Sequence, residues 1–409
     1  MNFKIIIIIC VILRYTYSII LNAVRFKSAN NPTPENLADV YDAATYQQWK
    51  RYSAEHNKLS IISDLVSCAV MLALLITNAH AAFASLFPAG GELFGVVILT
   101  VVIGSVLDII EKYISTMVIE QKYGFNRSTV KTFIFDCIRS ILLEFVLSLA
   151  LVGLMALLHG TVGDWLILLF ALAVFAITLL ISFLYPIFSR LGNKFTPLED
   201  GELKNKLMAL LHKYGYEVKA IEVMDASRRT TKLNAYFTGF GKLKTIVLYD
   251  NLLNAMSEDE ICAIFAHEMG HGLHKDVLKA QILNIGNLLL MGVLVWLTLR
   301  EPAIYSDFGF SGINYGFAYI IIGIALGLVQ PLTGILTNFR SRSAEYRADR
   351  QSVIEGYGEA MIVALKKLAK DNFSNLSPSK INVVLEYSHP PLDRRIEEVE
   401  KALKATKTE

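Results

Sequence analysis

The chain has 409 residues, of which 54% are hydrophobic and only 19% charged, and its mean hydropathy is +0.44. That balance excludes an ordinary water-soluble domain of this size. A formal net charge of +2 argues against a nucleic-acid partner, and four scattered cysteines (Cys10, Cys68, Cys137, Cys262) with no C-x-x-C pair argue against a disulfide framework or a thiolate metal site.

Seven apolar runs are long enough to cross a hydrocarbon core, near 3–24, 61–87, 94–118, 133–158, 163–189, 278–299 and 312–338. The first lies where a signal peptide would, but no small-residue cleavage site follows it, so it reads as a retained span. Polar residues fall inside the runs: Arg14, Asp108, Glu111, Glu144, Asn284, Asn287 and Gln330. Such groups are costly in lipid and usually face a bundle interior or a wet cavity. Two readings stay open: Asp108 and Glu111 snorkel from a span end, or the bundle holds a water-containing chamber. Lys and Arg crowd every second connection, as in Arg25, Lys27, Lys50 and Arg51 after the first run, and thin out in the others. This alternation puts the N-terminus outside and the C-terminus in the cytoplasm.

The chain therefore divides into 1–189 with five spans, a cytoplasmic block 190–277, spans six and seven over 278–338, and a helical cytoplasmic block 339–409. In the first block an amphipathic helix runs to about Lys213, with Leu203, Leu207, Leu210 and Leu211 on one stripe. Short strands are expected at Val218–Met224, Leu233–Thr238 and Thr245–Tyr249, with Gly239, Gly241 and Asp225-Ala226-Ser227 at turns. Ser257-Glu258-Asp259-Glu260 has the form of a capping box. It starts a helix that is read as free to run unbroken into span six. The last block is interrupted at Asn372 to Ser379 and at Ser388-His389-Pro390-Pro391.

The capped helix carries His267-Glu268-Met269-Gly270-His271. Residues i and i+4 share a helix face, so two imidazoles can meet one metal ion, with Glu268 beside it to handle a water. Zinc suits two neutral imidazoles, one further ligand and an open position. Downstream, Glu345 and Asp349 again stand i and i+4. Glu345 completes a His/His/Glu set of the thermolysin type, and Asp349 is spaced to accept the second N–H of a ligating His. Expected are one zinc ion per chain on His267, His271 and Glu345, with Glu268 as general base.

Several stretches are similar to those of the type I CAAX prenyl proteases, multi-span zinc endopeptidases. They are Tyr123-Gly124-Phe125-Asn126, Tyr185-Pro186-Ile187-Phe188, Lys194 to Leu198, Asn234 to Phe237, the two metal motifs, and Ser388-His389-Pro390-Pro391 with Arg395. The seven runs favour this branch over the shorter bacterial heat-shock membrane protease. The resemblance implies a mainly α multi-span membrane fold, its spans enclosing a chamber under a small α+β protease block on the cytoplasmic side. It implies that Asn234-Ala235-Tyr236 is an edge strand aligning a peptide substrate, that His389 lies near the zinc and binds the oxyanion (with Tyr236 as another candidate), and that Arg395 supports that site. It also implies the substrate: a prenylated C-terminal CAAX peptide, cut after the modified cysteine.

The tail from Lys404 to Glu409 carries no recognised ER-return signal, which favours a bacterial cytoplasmic membrane over the endoplasmic reticulum. A broad-specificity membrane quality-control protease is the alternative enzyme. A transporter leaves the paired metal motifs unexplained, and a zinc-stabilised scaffold has no use for Glu268.

Overall fold

The computed structural model describes residues 2–190, 192–216, 220–238 and 245–407, with the side chains of 185–188 and 237–238 left aside. Val218, Gly239, Gly241 and the end of the tail (Thr408, Glu409), named above, lie outside the described residues, as do the side chains of Tyr185 to Phe188 and Phe237. Among the described residues, seven helices are long and apolar enough to cross a membrane. The first five are α1 (Phe3–Ser28), α2 (Ala43–Ile76), α4 (Glu92–Lys112), α5 (Val130–His159) and α6 (Leu166–Ser189). A short α3 (Ala79–Ala84) separates α2 from α4.

Two of these differ from expectation. The apolar run 61–87 is not one helix: α2 begins near residue 43, ends at Ile76, and left-handed Asn78 (φ 56°) turns the chain into α3. Hydropathy misses this because the apolar residues continue across the turn. Beyond Lys112, α4 widens into a π-helical stretch, Tyr113–Glu120. Its end is stapled to the block that follows α6, as Asn126 bridges Thr230 and the Arg127 N–H donates to the Arg229 carbonyl at 3.0 Å.

The block after α6 contains β1 (Phe195–Pro197), α7 (Glu202–Lys213), β2 (Ala220–Met224), β3 (Ala235–Thr238), β4 (Thr245–Tyr249), α8 (Asp250–Ala255) and α9 (Glu258–Leu273). The strands form one sheet in the order β1-β2-β4-β3; β2 runs parallel to β4, and both outer pairs are antiparallel. Strand β1 is too short for a periodicity signal, and Pro197 suits its edge position. Leu207, Leu210 and Leu211 of α7 pack with Ile246 and Leu248 of β4 and with Ile261, Phe265 and Met269 of α9. The apolar stripe read from the sequence thus becomes the floor under α9.

The remaining helices are α10 (Asp276–Arg300), α11 (Ala303–Ser306), α12 (Tyr315–Ile354), α13 (Gly358–Asp371), α14 (Lys380–Leu385) and α15 (Leu392–Thr406). Helix α9 does not run into span six: Lys275 is left-handed (φ 55°) and separates it from α10. Helix α12 is instead continuous over 40 residues, carrying span seven straight up to α9 despite Pro331. Within the bundle, Arg14, Thr100 and Tyr319 with Met71, Met155 and Phe170 line a cavity of about 320 Å³.

Candidate metal centre

The capping box forms as its sequence suggests: the Ser257 N–H donates to Glu260 at 3.0 Å, and the Glu260 N–H to the Ser257 hydroxyl at 3.3 Å. It fixes the start of α9 about two and a half turns before His267. The approach of α12 is set by small residues. A Cβ on Gly270 would lie 2.9 Å from the Ala348 Cα, so only glycine lets the two backbones come this close. The Ser352 hydroxyl donates to the Ala263 carbonyl at 2.9 Å and ties the same two helices.

That approach brings Glu345 to the histidines. One donor atom each from His267, His271 and Glu345 lies within 4.8 Å of the others. The His271 Nε2 is 3.3 Å from Glu345 Oε1, and the His267 Nε2 is 3.6 Å from Oε2. Both rings use their other nitrogen on a carboxylate. Asp349, fully buried, meets the His267 Nδ1 at 2.8 Å. Asp276, at the start of α10, meets the His271 Nδ1 at 3.1 Å. A carboxylate on Nδ1 holds that proton there and leaves the Nε2 lone pair for a metal.

Asp276 is the residue the sequence reading missed. On an unbroken helix, a residue five places after His271 turns well away from it. The break at Lys275 swings Asp276 back, where it also accepts from the Arg347 guanidinium at 2.8 Å. A titratable residue soon after H-E-x-x-H was the available signal, and the assumed helix continuity hid it.

The other predicted residues fall as follows. Arg395 straddles Asp349: Nε donates to Oδ2 at 2.8 Å and Nη2 to Oδ1 at 2.6 Å. Its nearest role is therefore to hold the carboxylate that holds His267. The His389 Nδ1 lies 2.9 Å from Glu345 Oε2, with most of its side chain exposed. Glu268 is half-buried beside the pair. Asn234 is exposed just before β3, Ala235 and Tyr236 lie in that strand, and β3 is an edge of the sheet. The Tyr236 ring packs edge-on to Tyr249, beside Met224 and Val247 on a sheet face. A cavity of about 540 Å³ opens beside His389 and Arg395 and reaches Asn234.

The donor set fits a divalent cation. The buried Glu345 Oε2 is ringed by cationic or imidazole nitrogens of His389, Arg395 and His267 at 2.9 to 3.6 Å, yet none among the described residues has hydrogen-bond geometry toward it. Burial alone would depress the His271 imidazole, yet the Glu345 hydrogen bond and charge, then Asp276 and Glu268, raise it to about 9. Three carboxylates thus demand positive charge at this point, and two imidazoles with a carboxylate are the ligands that zinc favours.

Helices that cross a membrane, one of them extended into a His/His/Glu cluster with its own orienting carboxylates, define an integral-membrane metallopeptidase. Comparison with known proteins agrees. The family model "Peptidase family M48" matches residues 197–403, and "CAAX prenyl protease N-terminal, five membrane helices" matches 23–190. The chain is 31% identical to CAAX prenyl protease 1 homolog of Oryza sativa subsp. japonica, covering 96% of each chain. It is 31% identical to CAAX prenyl protease 1 of Saccharomyces cerevisiae, over 90% of this chain and 89% of that one. The crystal structure of S. mikatae Ste24p superposes with a TM-score of 0.90 at 27% identity, covering 98% of this chain and 99% of that one. This chain belongs to the M48 peptidases, in the branch of the CAAX prenyl proteases. These relatives come from eukaryotes and support a eukaryotic membrane, leaving the expected bacterial membrane without support.

Proposed function

We propose that this protein is a zinc endopeptidase that removes the C-terminal tripeptide from prenylated CAAX substrates at the cytoplasmic face of its membrane. The observation that carries the reading is the convergence of His267, His271 and Glu345, each histidine backed by its own carboxylate. These three residues would hold one zinc ion. When bound, zinc supplies the Lewis acid for amide hydrolysis. Glu268 takes a proton from the attacking water and returns it to the leaving amine. His389 donates to the oxygen that becomes negative as the scissile carbonyl turns tetrahedral. Asp349 keeps the His267 ring in place, and Arg395 keeps Asp349 charged and oriented. Asn234, Ala235 and Tyr236 align the substrate by main-chain pairing along the edge of β3 away from β4.

The alternation of basic connections supports an outward N-terminus and a cytoplasmic C-terminus. The substrate reading draws on the names of the relatives, all CAAX prenyl proteases. The test is cleavage of a quenched farnesylated CAAX peptide by purified protein in detergent, beside its unprenylated twin, a Glu268→Gln control and an orthophenanthroline arm. Expected are cleavage of the prenylated peptide, loss with the chelator, and loss in Glu268→Gln with zinc retained. Equal cleavage of both peptides would replace the prenyl reading with that of a broad membrane protease. Full activity of Glu268→Gln would remove the assignment of the base.

A further inference from the structure

Among the described residues no strand pairs with the edge of β3 away from β4, and a side chain closes that edge at Leu233. The Tyr249 N–H donates to the Asn234 carbonyl at 3.2 Å. In an antiparallel ladder such residues alternate, so Asn234, Tyr236 and Thr238 turn their main chain toward β4. Leu233, Ala235 and Phe237 then turn theirs to the open edge. At Leu233 both outward groups are taken by Asn372. Its Oδ1 accepts the Leu233 N–H at 3.0 Å, and its Nδ2 donates to the Leu233 carbonyl at 3.2 Å. The carboxamide thus presents one acceptor and one donor, as a single residue of a neighbouring strand would.

Asn372 is held firmly for this task. It caps the C-terminus of α13, its N–H donating to the Leu368 carbonyl at 3.1 Å. Phe373 follows in the left-handed region (φ 51°), and its ring is wedged edge-on against Tyr41, Tyr52 and Phe125. The hydroxyl of Tyr41 donates to the carbonyls of Ala369 and Ser374, which flank the turn, at 3.0 and 2.9 Å. Asn372 also lines the cavity beside His389, together with Leu233, Asn234 and Arg395. The cavity therefore runs from His389 and Arg395, which flank the metal centre, to the carboxamide that closes the strand edge.

We propose that Asn372 is a register stop: it terminates the peptide-pairing edge at Leu233 and so limits how many substrate residues lie beyond the scissile bond. A peptide added antiparallel to β3 points its C-terminal end toward Leu233. It can pair at Phe237 and, by displacing the Asn234 Oδ1 that accepts the Ala235 N–H at 2.9 Å, at Ala235, and then meets the Asn372 carboxamide, which holds both outward groups of Leu233. The residue acts through the edge it closes, so it is a specificity-determining and positioning residue and takes no part in bond breaking. A preference for short tails after the cut follows from this blocked edge. The inference rests on the peptidase reading above.

The experiment measures kcat/KM for farnesylated peptides with three, four and five residues after the prenylated cysteine, and locates the cut by mass spectrometry. Wild type and Asn372→Gly are compared in detergent. The wild type is expected to favour the three-residue tail. Asn372→Gly frees the Leu233 pair, and the five-to-three ratio of kcat/KM is expected to rise by about tenfold, the scale of one or two backbone hydrogen bonds. Extending the same peptides on the N-terminal side is expected to change neither protein's preference. An unchanged tail ratio with a uniform loss on all substrates makes Asn372 a structural pin and overturns the proposal, as does a ratio that responds to N-terminal extension. If Asn372→Gly fails to fold, Asn372→Asp keeps the acceptor for the Leu233 N–H, loses the donor, and is expected to raise the ratio in the same direction. If the wild type cuts none of the peptides, the substrate reading fails first and the register stop falls with it.

Discussion

Replacing Asp276 with Asn tests whether the second histidine depends on a carboxylate that sequence spacing does not reveal. Asp276 accepts from the His271 Nδ1 at 3.1 Å and from Arg347 at 2.8 Å. Asn keeps an acceptor and nearly the same shape but removes the charge that makes the imidazole a better donor to the metal. Losses of such supporting carboxylates cost about 10- to 100-fold in metal affinity, or about 1.4 to 2.7 kcal/mol. The fold should survive, because the Arg347 side chain is 43% exposed and solvent can take over the lost charge pair. The assay is zinc competition against a chromophoric chelator in detergent, with thermal melting of the metal-free protein as the control for folding. Expected are a weakened zinc affinity in that range and a nearly unchanged apo-protein melt. Zinc binding within about twofold of wild type would refute the claim that Asp276 supports His271.

Asp349 should behave differently, because it carries Arg395 as well as His267. Asp349→Ala leaves a guanidinium that is 13% exposed with only the more distant Glu345 at 3.5 Å, and removing one partner of a buried pair costs about 3–5 kcal/mol; the apo-protein melt should fall sharply, and an unchanged melt would refute the clamp. Gly270→Ala puts a Cβ 2.9 Å from the Ala348 backbone and should cost about 1–3 kcal/mol while weakening zinc binding, since Glu345 sits one turn from the forced contact. Metal binding should also release a proton. His271 in the metal-free protein is raised from 6.5 to about 9, so near pH 7.5 it carries a proton that a metal ion must displace. Titration calorimetry in buffers of different ionisation enthalpy should find about one proton released per chain, and none released would refute it. The same sign predicts that the apo-protein keeps this stabilisation at pH 6.5 and below and loses it as the pH rises through about 9, read as a falling melting temperature.

What the chain determined by itself was whatever repeats within a few residues. The i, i+4 histidines, the capping box at Ser257 and the stripe Leu207, Leu210 and Leu211 depend on helix periodicity alone, and each forms in the structure. The spanning helices depend on run length and apolarity, so their number was legible even though the break at Asn78 was not. Glu345 could be proposed because its partner Asp349 stands one turn away and the motif demanded a third ligand.

Tertiary structure decided what the rest depends on, the places where chains far apart in sequence meet. Lys275 in the left-handed region turned Asp276 back onto His271, a choice of one backbone conformation that composition does not encode. Arg395 reached Asp349 because α15 packs beside α12, and on its own helix it looked like any surface arginine. Asn372 looked like part of a loop that merely interrupts two helices. Its significance lies in a pair of hydrogen bonds to Leu233, 139 residues away, and only the packing of α13 against the strand edge supplies them. Periodicity is a local property of the backbone; the second layer around a site is a property of how surfaces close on one another.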